Sequence, residues 1–129
     1  IGVNVNLFAQ TKSKHFKELK EDKGDFYMLG WGVPTLDSHY VFHYLYESGA
    51  SWNKVNFSNS DVDAAIRVME GEVDLDKRNA AIANAWKIVK DDISYLPLHH
   101  QVFSWATKNN VDVPIRPNNE PLFRFASFK

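Results

Sequence analysis

Alternating apolar and polar residues open the chain and predict a β-strand over residues 1–9. The apolar positions of this pattern are Ile1, Val3, Val5 and Leu7. A short apolar run at 26–29 predicts a second, buried strand over residues 25–30. The charged segment between the two strands predicts a helix from Thr11 or Ser13 to about Asp22, ended by Gly24. A strand–helix–strand unit of this kind predicts parallel strands joined by a right-handed crossover.

Helical spacing of apolar residues governs the middle of the chain. Residues 60–71 predict one helix, and Ser60-Asp61-Val62-Asp63 predicts a capping box with Asp in place of Glu or Gln. A longer helix is predicted over 76–91, begun by Asp74 or Asp76. Both helices are expected to pack on the sheet through one apolar stripe. The stripe is Val62, Ile66 and Met69 in the first helix and Ala81, Ile82, Ala85, Trp86 and Val89 in the second.

Extended chain is predicted after the second helix. Residues 95–107 favour a strand, and since Val102 and Phe103 point to opposite sides, both of its faces should be covered. A turn should follow at Asn109-Asn110, and then an irregular connection that contains Pro114, Pro117 and Pro121. A final strand should run through Phe123 and Phe125. The patterns together predict an α/β fold, with residues 1–113 as one portion and 114–129 as an extended C-terminal segment.

Composition excludes several classes of protein. The formal net charge of -1 argues against a nucleic-acid partner held by phosphate neutralisation. The absence of cysteine excludes disulfides, thiolate catalysis and cysteine-based zinc sites. No apolar run approaches the ~20 residues of a membrane span. Because the chain opens on Ile1 without an initiator Met or a leader, we expect a piece of a longer protein.

A glycine-flanked tryptophan marks the candidate ligand-binding segment, Gly30-Trp31-Gly32-Val33-Pro34-Thr35 followed by Asp37. Glycine allows a close approach of the backbone, and proline fixes its own φ and restricts the preceding residue. Asp37 or Ser38 can cap a following helix. A strand that ends in a rigid loop and continues as a capped helix builds a ligand crevice in open α/β sheets. The alternative is a loop whose Trp31 fills the core. The helix should carry Tyr40, Val41, Tyr44 and Leu45 inward.

His39 and His43 are the candidate metal ligands. Their i, i+4 spacing on a helix places both imidazoles on one face. Asp37, His99 and His100 are available as a third ligand, but no Glu follows the first histidine as a zinc hydrolase requires. The alternatives are therefore a nickel- or zinc-binding protein, a metal-dependent enzyme fragment, and two solvent-facing histidines without a metal.

Other catalytic patterns are missing. Ser94 and Ser104 lack the flanking glycines of a nucleophile elbow. The Gly-x-Gly at residues 30–32 lacks a third glycine and has Trp at its centre, which does not suit a phosphate loop. The acidic residues at 72–76 depart from the spacing of an EF-hand. No catalytic residue and no cofactor is predicted, and we expect that the chain is not an enzyme.

Three linked segments carry a resemblance to a known family. The order DFYMLGWG, NFSNSDVDAAI and DKRNAAIANAWKIVKDDISYLPLHHQ resembles the C-terminal part of bacterial extracellular solute-binding proteins of the dipeptide, oligopeptide and nickel class. These proteins are the binding components of ABC importers, and the likeness extends from Ile1 to about Val113. It implies a fragment of a two-lobed periplasmic-binding-protein-like fold. The fragment would contain the sheet of the second lobe, the helices that flank this sheet, and a segment that returns toward the first lobe. It also implies permease membrane subunits as partners and a periplasmic location or a membrane-anchored extracellular lipoprotein.

The resemblance also assigns residues. Gly30 and Trp31 match the crevice motif, Asn59 and Asp63 match a structural helix-start motif, and Arg78-Asn79 match the pair on the second helix. Peptide binders of the family show Trp-x-x-Asp and a second Asp three residues later, the first Asp pairing with the α-amino group of the ligand. Here Pro34 takes the first position and Asp37 the second. This departure leaves a free α-amino group without its usual partner, so we expect a peptide-like ligand that is modified or blocked at its amino end. The alternative is that Asp37, where it does not cap the helix, supplies the missing charge.

Overall fold

Four α-helices and a two-stranded antiparallel sheet form the part of the chain that the computed structural model describes, residues 2–21 and 23–129. The fold is mixed α/β. Its elements are α1 (Lys12–Lys20), α2 (Ser38–Val41), a π-helical segment (Phe42–Tyr46), α3 (Ser60–Gly71), α4 (Leu75–Asp92), β1 (Val111–Asp112), a 3₁₀-helix (Phe123–Phe125) and β2 (Ser127–Phe128). The chain divides into two compact units at the junction between Gly30 and Trp31.

The first unit contains α1 with irregular chain on either side. Leu19 is buried and Phe16 half-buried, so these two apolar side chains of α1 face inward. Gln10 Nε2 donates to Glu18 Oε2 at 2.7 Å, and His15 Nε2 lies 3.0 Å from the Met28 carbonyl oxygen. These two contacts join the chain on each side of α1 to the helix. Ile1, predicted as an apolar position of the first strand, and Asp22, predicted as the end of the helix, lie outside the described residues.

The two strands predicted in this unit are wrong. Described residues 2–10 and 25–30 form no strand, so there is no parallel pair and no crossover between them. A strand persists only where a neighbour takes up its backbone hydrogen bonds, and no described segment pairs with either stretch. Leu7 and Phe26 are each 88% exposed. The described apolar positions of the alternating pattern, Val3, Val5 and Leu7, are therefore all uncovered.

The core of the second unit lies between α3, α4 and the π-helical segment. Phe42, Val62, Ile66 and Ala85 are completely buried there. The helices pack on one another rather than on the predicted sheet, since β1 and β2 are too short to offer a face. The predicted inward residues are confirmed for α3. In α4, Trp86 is 37% exposed, although its ring centroid lies 4.6 Å from that of Phe42.

Helix starts follow side-chain caps. Asn59 Oδ1 accepts the backbone N–H groups of Asp61 and Val62 at 3.0 and 3.1 Å, so the predicted Ser60 cap is wrong by one residue. Asp63 is used differently, since its Oδ1 accepts the Ser48 N–H at 3.0 Å. Asp74 caps α4, as predicted.

The C-terminal segment is held by local pairing. β1 and β2 pair antiparallel, with Val111 opposite Phe128, and an isolated bridge joins Ile115 to Pro121. The predicted strand through Phe123 and Phe125 is instead the 3₁₀-helix, because the chain turns there before β2. Residues 95–107 form no strand and are mostly exposed; Val102 is 85% exposed, so the prediction of two covered faces is also wrong.

Candidate functional site

Trp31 lies in a cluster of aromatic side chains. Its ring centroid is 6.2 Å from Tyr40, 6.0 Å from Tyr44 and 5.8 Å from Trp52, each in a tilted or edge-on arrangement. The indole is half-buried and packs against the core. Its Nε1–H is shielded from water and has no hydrogen-bond partner among the described residues. An unsatisfied N–H of this kind costs about 1–3 kcal/mol and favours any acceptor that reaches it.

The backbone on each side of Trp31 is open. Gly30 and Gly32 are exposed, and a Cβ added at either position meets no described atom within 4 Å. Pro34 stands in a turn that the Leu36 N–H closes by donating to the Val33 carbonyl at 3.1 Å. Thr35 is exposed as well. The predicted binding segment thus presents exposed backbone beside a half-buried indole, which is the arrangement a peptide-like ligand can approach.

Asp37 is engaged by two donors. Its Oδ1 accepts the His39 backbone N–H at 2.8 Å, which caps α2, and Arg78 Nη2 at 2.9 Å. The hydrogen bond from Arg78 is the main reason that the pKa of the Asp37 carboxyl lies below its usual value. Asp37 thus provides the cap of α2, as one of the two predicted capping residues, and it also binds Arg78. Its side chain is 37% exposed, so solvent screens the ion pair.

His39 and His43 converge on Glu70 of α3. One ligand atom from each of the three side chains lies within 4.8 Å of the others, and His39 Nε2 is 3.3 Å from Glu70 Oε1. The two imidazoles stack, with centroids 5.7 Å apart and planes inclined by 19°. Sequence spacing predicts the two histidines together, and this is observed. The third member is Glu70, and the described cluster does not include Asp37, His99 or His100.

A second carboxylate approaches His43. Glu47 Oε2 lies 2.7 Å from His43 Nδ1, the distance of an ion pair, although the direction is not that of a hydrogen bond. Glu47 follows His43 by four residues, so the i, i+4 rule was a signal for this contact. Glu70 carried no such signal, because it is 31 residues from His39 and comes close only through the packing of α2 on α3.

Asn53 was also missed by sequence reasoning. It is 7% exposed, its Nδ2 donates to the Glu47 and Phe57 carbonyls at 2.9 and 2.7 Å, and its Oδ1 accepts the Phe57 N–H at 3.0 Å. It holds the loop between the π-helical segment and α3. A polar, glycine-containing loop predicts exposure rather than a buried amide, so composition gave no signal for it.

A cavity of about 300 Å³ is lined by residues from 105 to 123, among them Trp105, Val113, Ile115 and Phe123. Its lining includes none of residues 30–37.

No protein-family model, curated protein or solved structure matches the chain. No helix within residues 2–21 and 23–129 has the length and apolar character to cross a membrane.

Proposed function

We propose that this chain is part of the substrate-binding component of an ABC importer, which captures a peptide or peptide-like solute and delivers it to a membrane permease. The observation that carries the proposal is the setting of Trp31. A half-buried indole with an unsatisfied N–H stands between two exposed glycines. Stacking on the ring and hydrogen bonds to open backbone would hold a peptide unit without any catalytic group.

Exposed apolar side chains support a larger two-lobed receptor. Val5, Leu7 and Phe26 are 78%, 88% and 88% exposed, and Val102 is 85% exposed. Exposed large apolar side chains of this kind suit surfaces that another part of a protein covers. In the proposed receptor these segments lie against the remaining sheet and the first lobe. The receptor would work in the periplasm, or outside the cell as a membrane-anchored lipoprotein.

The ligand class follows from Asp37 and Pro34. A free α-amino group taken out of water needs a charge partner, since an unpaired buried ion costs several kcal/mol. Pro34 offers neither a carboxylate nor an N–H, and Asp37 already accepts from Arg78 and the start of α2. The proposed ligand is therefore a peptide blocked or modified at its amino end.

Titration of the natural protein that carries this chain with a tripeptide and its N-acetylated form tests the proposal. Trp31→Ala should weaken binding of both forms at least about tenfold, and Asp37→Asn should leave the ratio of the two affinities unchanged. The exposed Trp105→Ala serves as the control. A strong preference for the free form that disappears in Asp37→Asn, with little effect of Trp31→Ala, would instead show a receptor anchored on the amino group.

A further inference from the structure

We propose that His39, His43 and Glu70 form a binding site for a divalent transition metal, with Zn²⁺ as the ion that best suits the ligands. The proposal does not depend on solute binding, because it uses none of the residues 30–37. Two imidazoles and one carboxylate are the ligand types of zinc sites that keep an open position. The three side chains come from α2, the π-helical segment and α3.

The distances require only small side-chain adjustments. Ligand atoms about 2.1 Å from a tetrahedral Zn²⁺ lie about 3.4 Å from one another. His39 Nε2 and Glu70 Oε1 are already 3.3 Å apart, and all three ligand atoms lie within 4.8 Å. The side chains of His39, His43 and Glu70 are 29%, 42% and 49% exposed, so an ion has access from solvent.

The backbone of the helix also favours the site. His43 lies in the π-helical segment, a local widening of the helix that is frequent at functional sites. The two imidazole rings stack nearly parallel on neighbouring turns, with planes inclined by 19° and centroids 5.7 Å apart. Glu70 faces them from α3. Binding of an ion would therefore clamp α2 and the π-helical segment to α3.

Glu47 supplies the outer partner that metal-bound histidines commonly have. Its carboxylate is 2.7 Å from His43 Nδ1 and lies outside the three-residue cluster. Because Glu47 lies at Nδ1, we assign His43 Nε2 to the ion. A small rotation of either side chain would let Nδ1–H donate to Glu47, which would orient the ring and raise the basicity of the ligand nitrogen. Glu47 is a positioning residue, and its removal should lower the affinity for the metal without abolishing the site. Three protein ligands leave the remaining coordination position to water.

Calorimetric titration of the metal-stripped chain with ZnCl₂ tests the proposal, with Co²⁺ absorption as a second readout of tetrahedral coordination. One equivalent of Zn²⁺ should bind and raise the melting temperature. His39→Ala, His43→Ala and Glu70→Gln should each lower the affinity by more than about tenfold, and Glu47→Gln by about tenfold. His99→Ala and His100→Ala are the matched controls, since both histidines are exposed and outside the cluster.

Each outcome of these titrations either supports the metal site or overturns it. Loss of affinity in the cluster variants with unchanged affinity in the controls supports the site. Because Glu70→Gln preserves the size of the side chain, a loss of affinity in this variant cannot be attributed to a cavity. The absence of Zn²⁺ binding at submillimolar concentration would overturn the proposal. An equal loss in the controls, or full affinity in Glu70→Gln, would overturn it as well, because the ion would then be held by histidines elsewhere or by His39 and His43 alone.

Discussion

Arg78 Nη2 lies 2.9 Å from Asp37 Oδ1, and Arg78 Nε donates to the Met69 carbonyl at 2.9 Å. One guanidinium therefore connects the first turn of α4 with the cap of α2 and the last turn of α3. The planar fork of arginine suits such divided bonding, which lysine cannot reproduce. This connection fixes the start of the helix that carries His39 and Tyr40.

Arg78→Met should lower the free energy of unfolding by about 1–2 kcal/mol, because a charged hydrogen bond and a helix-end bond are lost together. Denaturant unfolding of Arg78→Met, Asp37→Asn and the double variant gives the coupling between the two side chains. We expect about 0.5–1 kcal/mol of coupling, limited by the exposure of Asp37. Arg67→Met, on the exposed face of α3, is the control. A coupling indistinguishable from zero would mean that the ion pair does not hold α2.

The core prediction concerns Phe42. The side chain is completely buried and lies against Trp86, with ring centroids 4.6 Å apart. Phe42→Ala should destabilise the chain by about 3–5 kcal/mol, through lost burial and the cavity that remains. Phe128→Ala should cost less than about 0.5 kcal/mol, because Phe128 is 82% exposed. Thermal and urea unfolding would measure both, and similar losses in the two variants would refute this location of the core.

Asn53 should be as important as a core residue. Asn53→Ala removes three hydrogen bonds and leaves the Phe57 backbone groups and the Glu47 carbonyl short of partners. We expect a loss of about 2–3 kcal/mol, since buried polar groups without partners bear their desolvation penalty. Asn79→Ala, on an exposed position of α4, should change stability by less than about 0.5 kcal/mol. Equal stability of the two variants would contradict the buried network.

Ile93 offers a stabilising substitution. It ends α4 in the left-handed conformation, with φ 59° and ψ 31°, although a β-branched side chain disfavours that region. Ile93 is 71% exposed, so little packing is lost on its removal. Ile93→Gly should stabilise the chain by about 1 kcal/mol, whereas Ile93→Val, which keeps the branch, should not. A loss of stability in Ile93→Gly would show that the side chain has a packing role.

Helical periodicity predicted α1, α3 and α4 from the sequence within a few residues. This worked because local spacing, caps and breakers determine helices, and the pairs Asp74–Lys77 and Asn59–Val62 form within one turn. Local patterns of this kind could not establish the strands predicted over residues 1–9 and 25–30. A strand depends on a partner that is distant in sequence, and alternation shows only which face would be covered.

The site divides in the same way. Spacing predicted the convergence of His39 and His43, and capping preference predicted the engagement of Asp37. Glu70 and Arg78 join these residues across 31 and 41 positions, so no local pattern pointed to them. The aromatic surroundings of Trp31 depend on the tertiary fold, so the sequence left open whether its indole fills the core or lines a crevice.

The affinity of Gly32→Val for an N-acetylated tripeptide, measured in the natural protein that carries this chain, tests the binding role of the Trp31 segment most directly. A Cβ added at Gly32 or at Gly71 meets no described atom within 4 Å, so we expect the melting temperatures of Gly32→Val and of the control Gly71→Val to match that of the parent protein. We predict that Gly32→Val weakens the peptide at least about tenfold while Gly71→Val leaves the affinity unchanged, because a ligand on Trp31 must approach the Gly32 backbone. Unchanged affinity in Gly32→Val would contradict the assignment of solute binding to this segment.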